Sequence, residues 1–531
     1  MKKLSELANI GVKAIGSFIF FVLSFYSLRY TYKFLVGEAE LPELVHDSLV
    51  ANMLSVIIIL LLSAAVLRFR DTLTNKVTRL AFWTVLLWLA VCFVWWIQSA
   101  ERPPLYDSQK ICDAVENMMS GNYETLLPGN YMNMWPHQLG LAAVIELIYR
   151  VGGVGNYPIY QWMCGVMAIG VFVIGFFMLE QLAVQKVQIY QVLYCLFMCF
   201  CFPLIFYTTW VYGEIPYLFL SFLGFWLLLR YEKSGRKRYL FWMVLCYALA
   251  VMFRMNAWIL IIATIISLLV HFLTREGKRD WYLIVITVLL VAIPLIWNQM
   301  VRGIYYGRAQ EALQQEVPKE GIPSMAYIAL GMSENDFMLG GWFEYYHIDV
   351  YAENGYDKEL ASEQAKEKVR DRLGELMRNP SHAVDFYKTK VMSQWNTPLY
   401  QSLFFSAREG FGLSEPGTLL YWLCFEEGYD ILLWLSDRLH FLVFLGTAFY
   451  FLLAIRKSSS ILSQTFGIAL IGYFLFSVMW EAKSRYIFPV YVMMFPLAVI
   501  GWERLLYWMI HLPMLQTLSV KISSRLKCID V

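Results

Sequence analysis

The residues whose chemistry stands out in this 531-residue chain are few and widely separated. Asp107 is the first acid of a polar stretch, Arg102 to Gly140, that follows an apolar run and closes on Trp135-Pro136-His137-Gln138. Tyr212-Gly213-Glu214-Ile215-Pro216 is a tight turn between two apolar runs, and Arg254-Met255-Asn256 interrupts another. Arg485 and Tyr486 precede the last. A carboxylate beside cations suits transfer from an anionic carrier to a neutral nucleophile. The carboxylate takes the nucleophile's proton, and arginines hold the leaving phosphate as its charge grows. Each residue also has a plainer reading. Asp107 suits the N-cap of a helix over 108–119, and Asp113 and Glu116 suit that helix's solvated face. Glu214 either holds an acceptor or a metal or caps the next helix. His137 binds substrate or is an interfacial structural histidine. Arg254 at hydrocarbon depth needs an anion, and Glu481 or another acid of the chain would serve. Arg485 at a span end could only snorkel.

The elements that must position these residues are membrane helices. The chain is 59% hydrophobic and 16% charged, with a mean hydropathy of +0.52, whereas soluble domains sit near a quarter charged. Apolar runs lie near 14–36, 49–67, 80–98, 157–180, 188–209, 215–230, 239–253, 257–273, 281–298, 431–455, 461–480 and 485–509. Most approach the roughly 20 residues needed to cross about 30 Å of hydrocarbon. The run from Leu139 to Tyr149 carries Glu146 and is too short, which suits an interfacial helix. The expectation is an all-α polytopic membrane protein of about twelve spans. No zinc-ligand spacing, Walker loop or G-x-S-x-G elbow is present, and nothing points to nucleic acid. Cys195, Cys199 and Cys201 read as small hydrophobes.

Basic residues set the sidedness. With the N-terminus inside, Arg68, Arg70, Lys76, Arg79, Lys186, the run 230–238, Arg275, Lys278, Arg279, Arg456, Lys457, Lys521, Arg525 and Lys527 all face the cytoplasm. The opposite face then takes the acidic loop Glu38 to Asp47, the loop 99–156, the turns at Glu214 and Arg254, the segment 299–430, and Glu481 to Tyr486. The chain divides into an N-terminal transmembrane hairpin (1–79), a transmembrane core (80–298), a mostly helical extracytoplasmic loop domain (299–430), and C-terminal transmembrane helices with a tail (431–531). In the loop domain, Asp357 and Ser381 are candidate helix caps, the second ahead of Val384, Tyr387, Val391 and Trp395 at helical spacing.

On these residues the chain resembles the GT-C superfamily of integral-membrane glycosyltransferases, chiefly the bacterial branch similar to protein O-mannosyltransferases and the aminoarabinose transferase of lipid A. The matching elements are Asp107 with its helix, Gly121-Asn122-Tyr123, Pro136-His137-Gln138-Leu139-Gly140, Arg254-Met255-Asn256, and Glu481-Ala482-Lys483-Ser484-Arg485-Tyr486. They cover roughly residues 80–500. The resemblance implies a GT-C-type helix bundle in the plasma membrane with an extracytoplasmic active site. It implies a sugar donor on polyprenyl phosphate, inversion at the anomeric carbon, and Asp107 as general base. Arg254, Asn256, Arg485, Tyr486, His137, Tyr212 and Glu214 are the candidate substrate-binding residues. The chain departs from the family at Asp107-Ser108, where a pair of acids is usual, which leaves use of a divalent cation open. It departs again at Trp135, where a lysine is usual, and in the two spans over 14–67 that precede the usual core. The acceptor would be an envelope polymer, lipid or protein. The alternatives are a ligase or polymerase of lipid-linked glycans and, in another class, a transporter. Transporters show repeated halves and polar groups at the midplane, and this sequence shows neither.

Overall fold

The structure, a computed structural model, describes residues 2–34, 40–68, 75–99, 103–183, 187–274, 280–335, 338–342, 344–407, 417–455 and 460–511. Glu38, Arg70, Arg102, Lys186, Arg275, Lys278, Arg279, Arg456, Lys457, Lys521, Arg525 and Lys527 lie outside the described residues.

Among the described residues the regular structure is helical apart from one two-stranded antiparallel ribbon, Tyr30–Lys33 with Glu43–His46, which lies between helices Lys2–Ser27 and Leu49–Arg68. Each of the twelve apolar runs contains helix among its described residues, where the sequence led to an expectation of about twelve spans. Among the described residues nine helices are long and apolar enough to cross a membrane, or ten if one bent pair is a single span. That pair, Val187–Cys199 with Phe202–Thr209, turns by 62°. Pro203 sits just past the break, where its missing N–H and its ring both oppose a continuous helix. The two other runs form Glu214–Ser234 and Arg238–Phe253. Arg238–Phe253 has 16 residues, about 24 Å of helix, which is short for the hydrocarbon core. Glu214–Ser234 is buried along most of its length, between Pro158–Leu182 and Arg238–Phe253. A helix sheltered from lipid can carry polar residues that a lipid-facing one cannot.

Three expected boundaries fall inside helices. The cut at 79/80 lies in Asn75–Gln98, that at 298/299 in Tyr282–Leu313, and that at 430/431 in Glu427–Leu452. Helix Lys2–Ser27 packs against Glu427–Leu452 and Thr465–Met479 near the other end of the sequence. The segment 299–430 is mostly helical. Asp357 caps Lys358–Arg378 by accepting from the Glu359 and Leu360 amides at 2.8 and 3.0 Å. The next helix, Pro380–Trp395, is capped by Asn379 and not by Ser381. Residues 390–407 do not lie on the surface: Lys390, Trp395, Tyr400 and Ser402 are fully buried.

Candidate active site

Four chain breaks meet at one end of the bundle around a cavity of about 1490 Å³. The first is the start of helix Asp107–Met119. Tyr106 precedes it with φ 52° and ψ −126°, a backbone state that L-residues avoid and that costs about 1–3 kcal/mol. The Tyr106 ring is stacked on Phe404 at 5.3 Å, which holds that conformation. Asp107 is therefore the first helical residue and not a cap: Tyr106 holds the cap position, and no side chain caps this helix. Ser108 closes the turn instead, bonded both ways with Leu105 at 2.7 and 2.9 Å. The Asp107 carboxylate is left free to face the cavity.

The second break is Arg254, extended at φ −150° between helices Arg238–Phe253 and Ala257–Thr274. The third is the turn before Glu214. Gly213 is needed there, because a Cβ would lie 2.2 Å from the Phe253 carbonyl oxygen. This close approach brings Tyr212 and Glu214 to Arg254. The fourth is Glu481 to Tyr486, between helices Thr465–Met479 and Phe488–Ile510.

Asp107, His137, Tyr212, Arg254, Asn256, Arg485 and Tyr486 all line the cavity. Both terminal nitrogens of Arg485 donate to Asp107 Oδ2 at 3.1 Å. The Arg485 and Arg254 guanidiniums share two aromatic faces. Arg485 lies 5.5 Å from the ring centres of Tyr212 and Tyr486, and Arg254 lies 5.3 and 5.1 Å from the same rings. Such contacts hold a cation in place without neutralising it. Glu214 does not line the cavity; it is 1% exposed and lies behind Arg254. Its carboxylate faces Arg254 Nη2 at 3.0 Å. Neither Glu214 oxygen has a hydrogen-bond partner among the described residues, so it balances Arg254 by charge. The internal anion that Arg254 needs is thus Glu214, not Glu481.

His137 is pushed down to about 4 by burial, then by Arg254 and Arg302, with Asp107 opposing. It is neutral at physiological pH and offers a hydrogen bond, not a charge. Asn256 anchors its turn by accepting the Tyr473 hydroxyl at its carbonyl, 3.0 Å away. Tyr212 accepts a hydrogen bond from Gln138, which ties the Glu214 turn to the His137 turn.

The sequence reading missed one group. Lys483 is buried, 2.8 Å from Glu40 and 3.5 Å from Glu481. Glu40 also accepts from Gln401 at 2.7 Å, and Gln401 in turn accepts the Arg485 amide at 3.2 Å. Glu481 is raised above the usual carboxylate range by burial, with Lys483 and Arg485 opposing. The only sequence signal for Lys483 was its place between Glu481 and Arg485. Among the described residues no three His, Cys, Asp or Glu side chains gather in a way that could hold a metal ion.

The cavity has an apolar arm. Trp258, Ile259 and Ile262 line it from helix Ala257–Thr274, and Phe476 lines it from Thr465–Met479. Ile262 is 53% exposed. The arm therefore runs from the two arginines to the apolar surface of two candidate spans.

Solved structures similar to this chain include two archaeal ones. One is the archaeal oligosaccharyltransferase AglB from Archaeoglobus fulgidus in complex with an inhibitory peptide and a dolichol-phosphate, with a TM-score of 0.40 and 12% identity over 78% of this chain. The other is an Archaeoglobus fulgidus oligosaccharyltransferase in the apo form, with a TM-score of 0.41 and 12% identity over 78%. This chain spans about half the length of each, 49% and 50%. No protein-family model and no curated protein matches the chain.

Proposed function

We propose that this protein is an inverting glycosyltransferase that moves a sugar from a polyprenyl-phosphate carrier to an envelope polymer, lipid or protein outside the cell. One observation carries the reading: a single cavity joins a carboxylate, two arginines and an apolar arm that opens at membrane depth. A lipid-linked donor has the same three parts in the same order, namely a reacting sugar, a phosphate and a long apolar tail. The positive-inside pattern supports placing the cavity on the extracytoplasmic face.

In the proposed reaction the phosphate lies against Arg254 and Arg485, whose planar forks suit it. Arg485 turns from Asp107 towards the phosphate, which releases the carboxylate. The acceptor hydroxyl attacks the anomeric carbon from the side opposite the phosphate. The new C–O bond forms as the bond to the phosphate oxygen breaks. The electron pair leaves with the lipid phosphate, and the acceptor's proton passes to Asp107. His137 and Asn256 are proposed to bind the sugar as neutral partners. Glu214 keeps Arg254 in position and does not touch substrate.

The test is a comparison of envelope glycans by mass spectrometry with and without the protein. The reading expects one polymer, lipid or protein to lose a defined glycosyl mass. An unchanged profile of all three contradicts it.

A further inference from the structure

The inner cations of the cavity are each matched by an acid of the chain: Arg485 by Asp107, Arg254 by Glu214, and Lys483 by Glu40. The remaining cations differ. Lys110, Arg302, Lys319 and Lys358 line the same cavity. Among the described residues none of the four makes an ion pair. The acids next to two of them in sequence, Glu320, Asp357 and Glu359, do not line the cavity. Glu344 does, but it is paired with Lys368 at 3.9 Å.

These four cations come from four separate segments. Lys110 follows Asp107 by three residues on helix Asp107–Met119, so the two share a face. Arg302 is on helix Tyr282–Leu313 and donates to the Lys319 carbonyl, which joins that helix to the 319–321 loop. Gly321 lies against Pro136 and the Asn133 carbonyl, with no room for a Cβ. The loop is thereby fixed over the His137 turn. Lys358 opens helix Lys358–Arg378. Solvated surface lysines have no reason to meet at one opening from unrelated segments. One lipid phosphate is served by the inner pair of arginines, so this second set is surplus to it. A dispersed group of unpaired cations fits repeated negative charges on one chain.

Building on the glycosyltransferase reading, we infer that the acceptor is a polyanion: an envelope glycan or polyol chain bearing repeated phosphate or carboxylate groups. Lys110, Arg302, Lys319 and Lys358 hold it at the cavity, and a hydroxyl beside one of its anions meets Asp107.

The full chain in detergent tests this. Binding of fluorescently labelled inorganic polyphosphate, polygalacturonate and neutral dextran is measured at low and high salt. Binding of polyprenyl phosphate is measured on the same preparation. The expected result is at least tenfold tighter binding of one or both polyanions than of dextran, weakening as salt rises because exposed charges are screened. The preferred polyanion distinguishes a phosphate-bearing acceptor from a carboxylate-bearing one. The combined variant Lys110→Gln, Lys319→Gln and Lys358→Gln loses at least tenfold in polyanion binding. The corresponding arginine variant, Lys110→Arg, Lys319→Arg and Lys358→Arg, retains it. Equal binding of dextran and both polyanions, full polyanion binding by the glutamine variant, or an equal loss in the arginine variant overturns the inference. Polyanion binding by a chain that does not bind polyprenyl phosphate contradicts the donor reading and leaves the polyanion site standing.

Discussion

Arg485 grips Asp107 with two nitrogens and lies against four aromatic rings, those of Trp210, Tyr212, Phe405 and Tyr486. Aromatic faces on several sides keep the guanidinium at the cavity wall, while its N–H edge can exchange Asp107 for a phosphate. Arg254→Ala and Arg485→Ala are each expected to weaken donor use by about 1.5–3 kcal/mol, the scale of a charged hydrogen bond. Donor titrations that match the parent for both variants rule the role out. Arg485→Lys keeps the charge but loses the fork, so it is expected to recover only part of the loss. The two arginines were legible in the sequence because Arg254 interrupts an apolar run and Arg485 borders one, where a charge needs a reason. Lys483 was not, because its partner Glu40 lies 443 residues away and local spacing does not report such a pair. Glu214 was visible as a turn acid, but its retreat behind Arg254 depends on the close packing of Gly213 on Phe253.

At the scale of elements, a buried amine is among the groups that tie the helices of segment 299–430 to the bundle, beside Gln394 and Trp395, which donate to Ser477. Lys390, on helix Pro380–Trp395, donates to the Gly331 carbonyl and, at 2.9 Å, to the Val478 carbonyl. It is pushed down to about 7 by burial, with Glu481 opposing. The unfolded lysine titrates near 10.4. Between those values the unfolded chain binds more protons than the folded one, so stability rises with pH across that window. The parent's thermal midpoint in detergent is expected to climb from pH 7 towards pH 9.5 relative to Lys390→Met. Parallel pH profiles for the two proteins contradict a buried, depressed lysine. The helix Pro380–Trp395 was expected from its apolar spacing, yet Val384 on that pattern is 66% exposed while Lys390 is fully buried. Spacing identified the helix but could not identify its buried face, because the burial comes from Gly331 and Val478 in distant segments.

At the scale of the whole molecule, the helical runs were readable because lipid demands continuous apolar stretches. Their spanning lengths were less so, since Glu214–Ser234 and Arg238–Phe253 shelter one another and escape that demand. Sidedness is open to a direct check. A cysteine placed at Ser234 is expected to resist an impermeant thiol reagent applied to intact cells, and labelling there reverses the proposed orientation. The proposed chemistry meets its most direct test in the purified full chain supplied with a polyprenyl-phosphate-linked sugar and its acceptor. Asp107→Asn preserves the size of the side chain and can still accept from Arg485, but it cannot take a proton. A general base is worth about 10²–10⁴-fold in rate. The variant is expected to stay folded, bind donor lipid and lose turnover on that scale. Retention of more than about a tenth of parental turnover, against that range, contradicts Asp107 as the base.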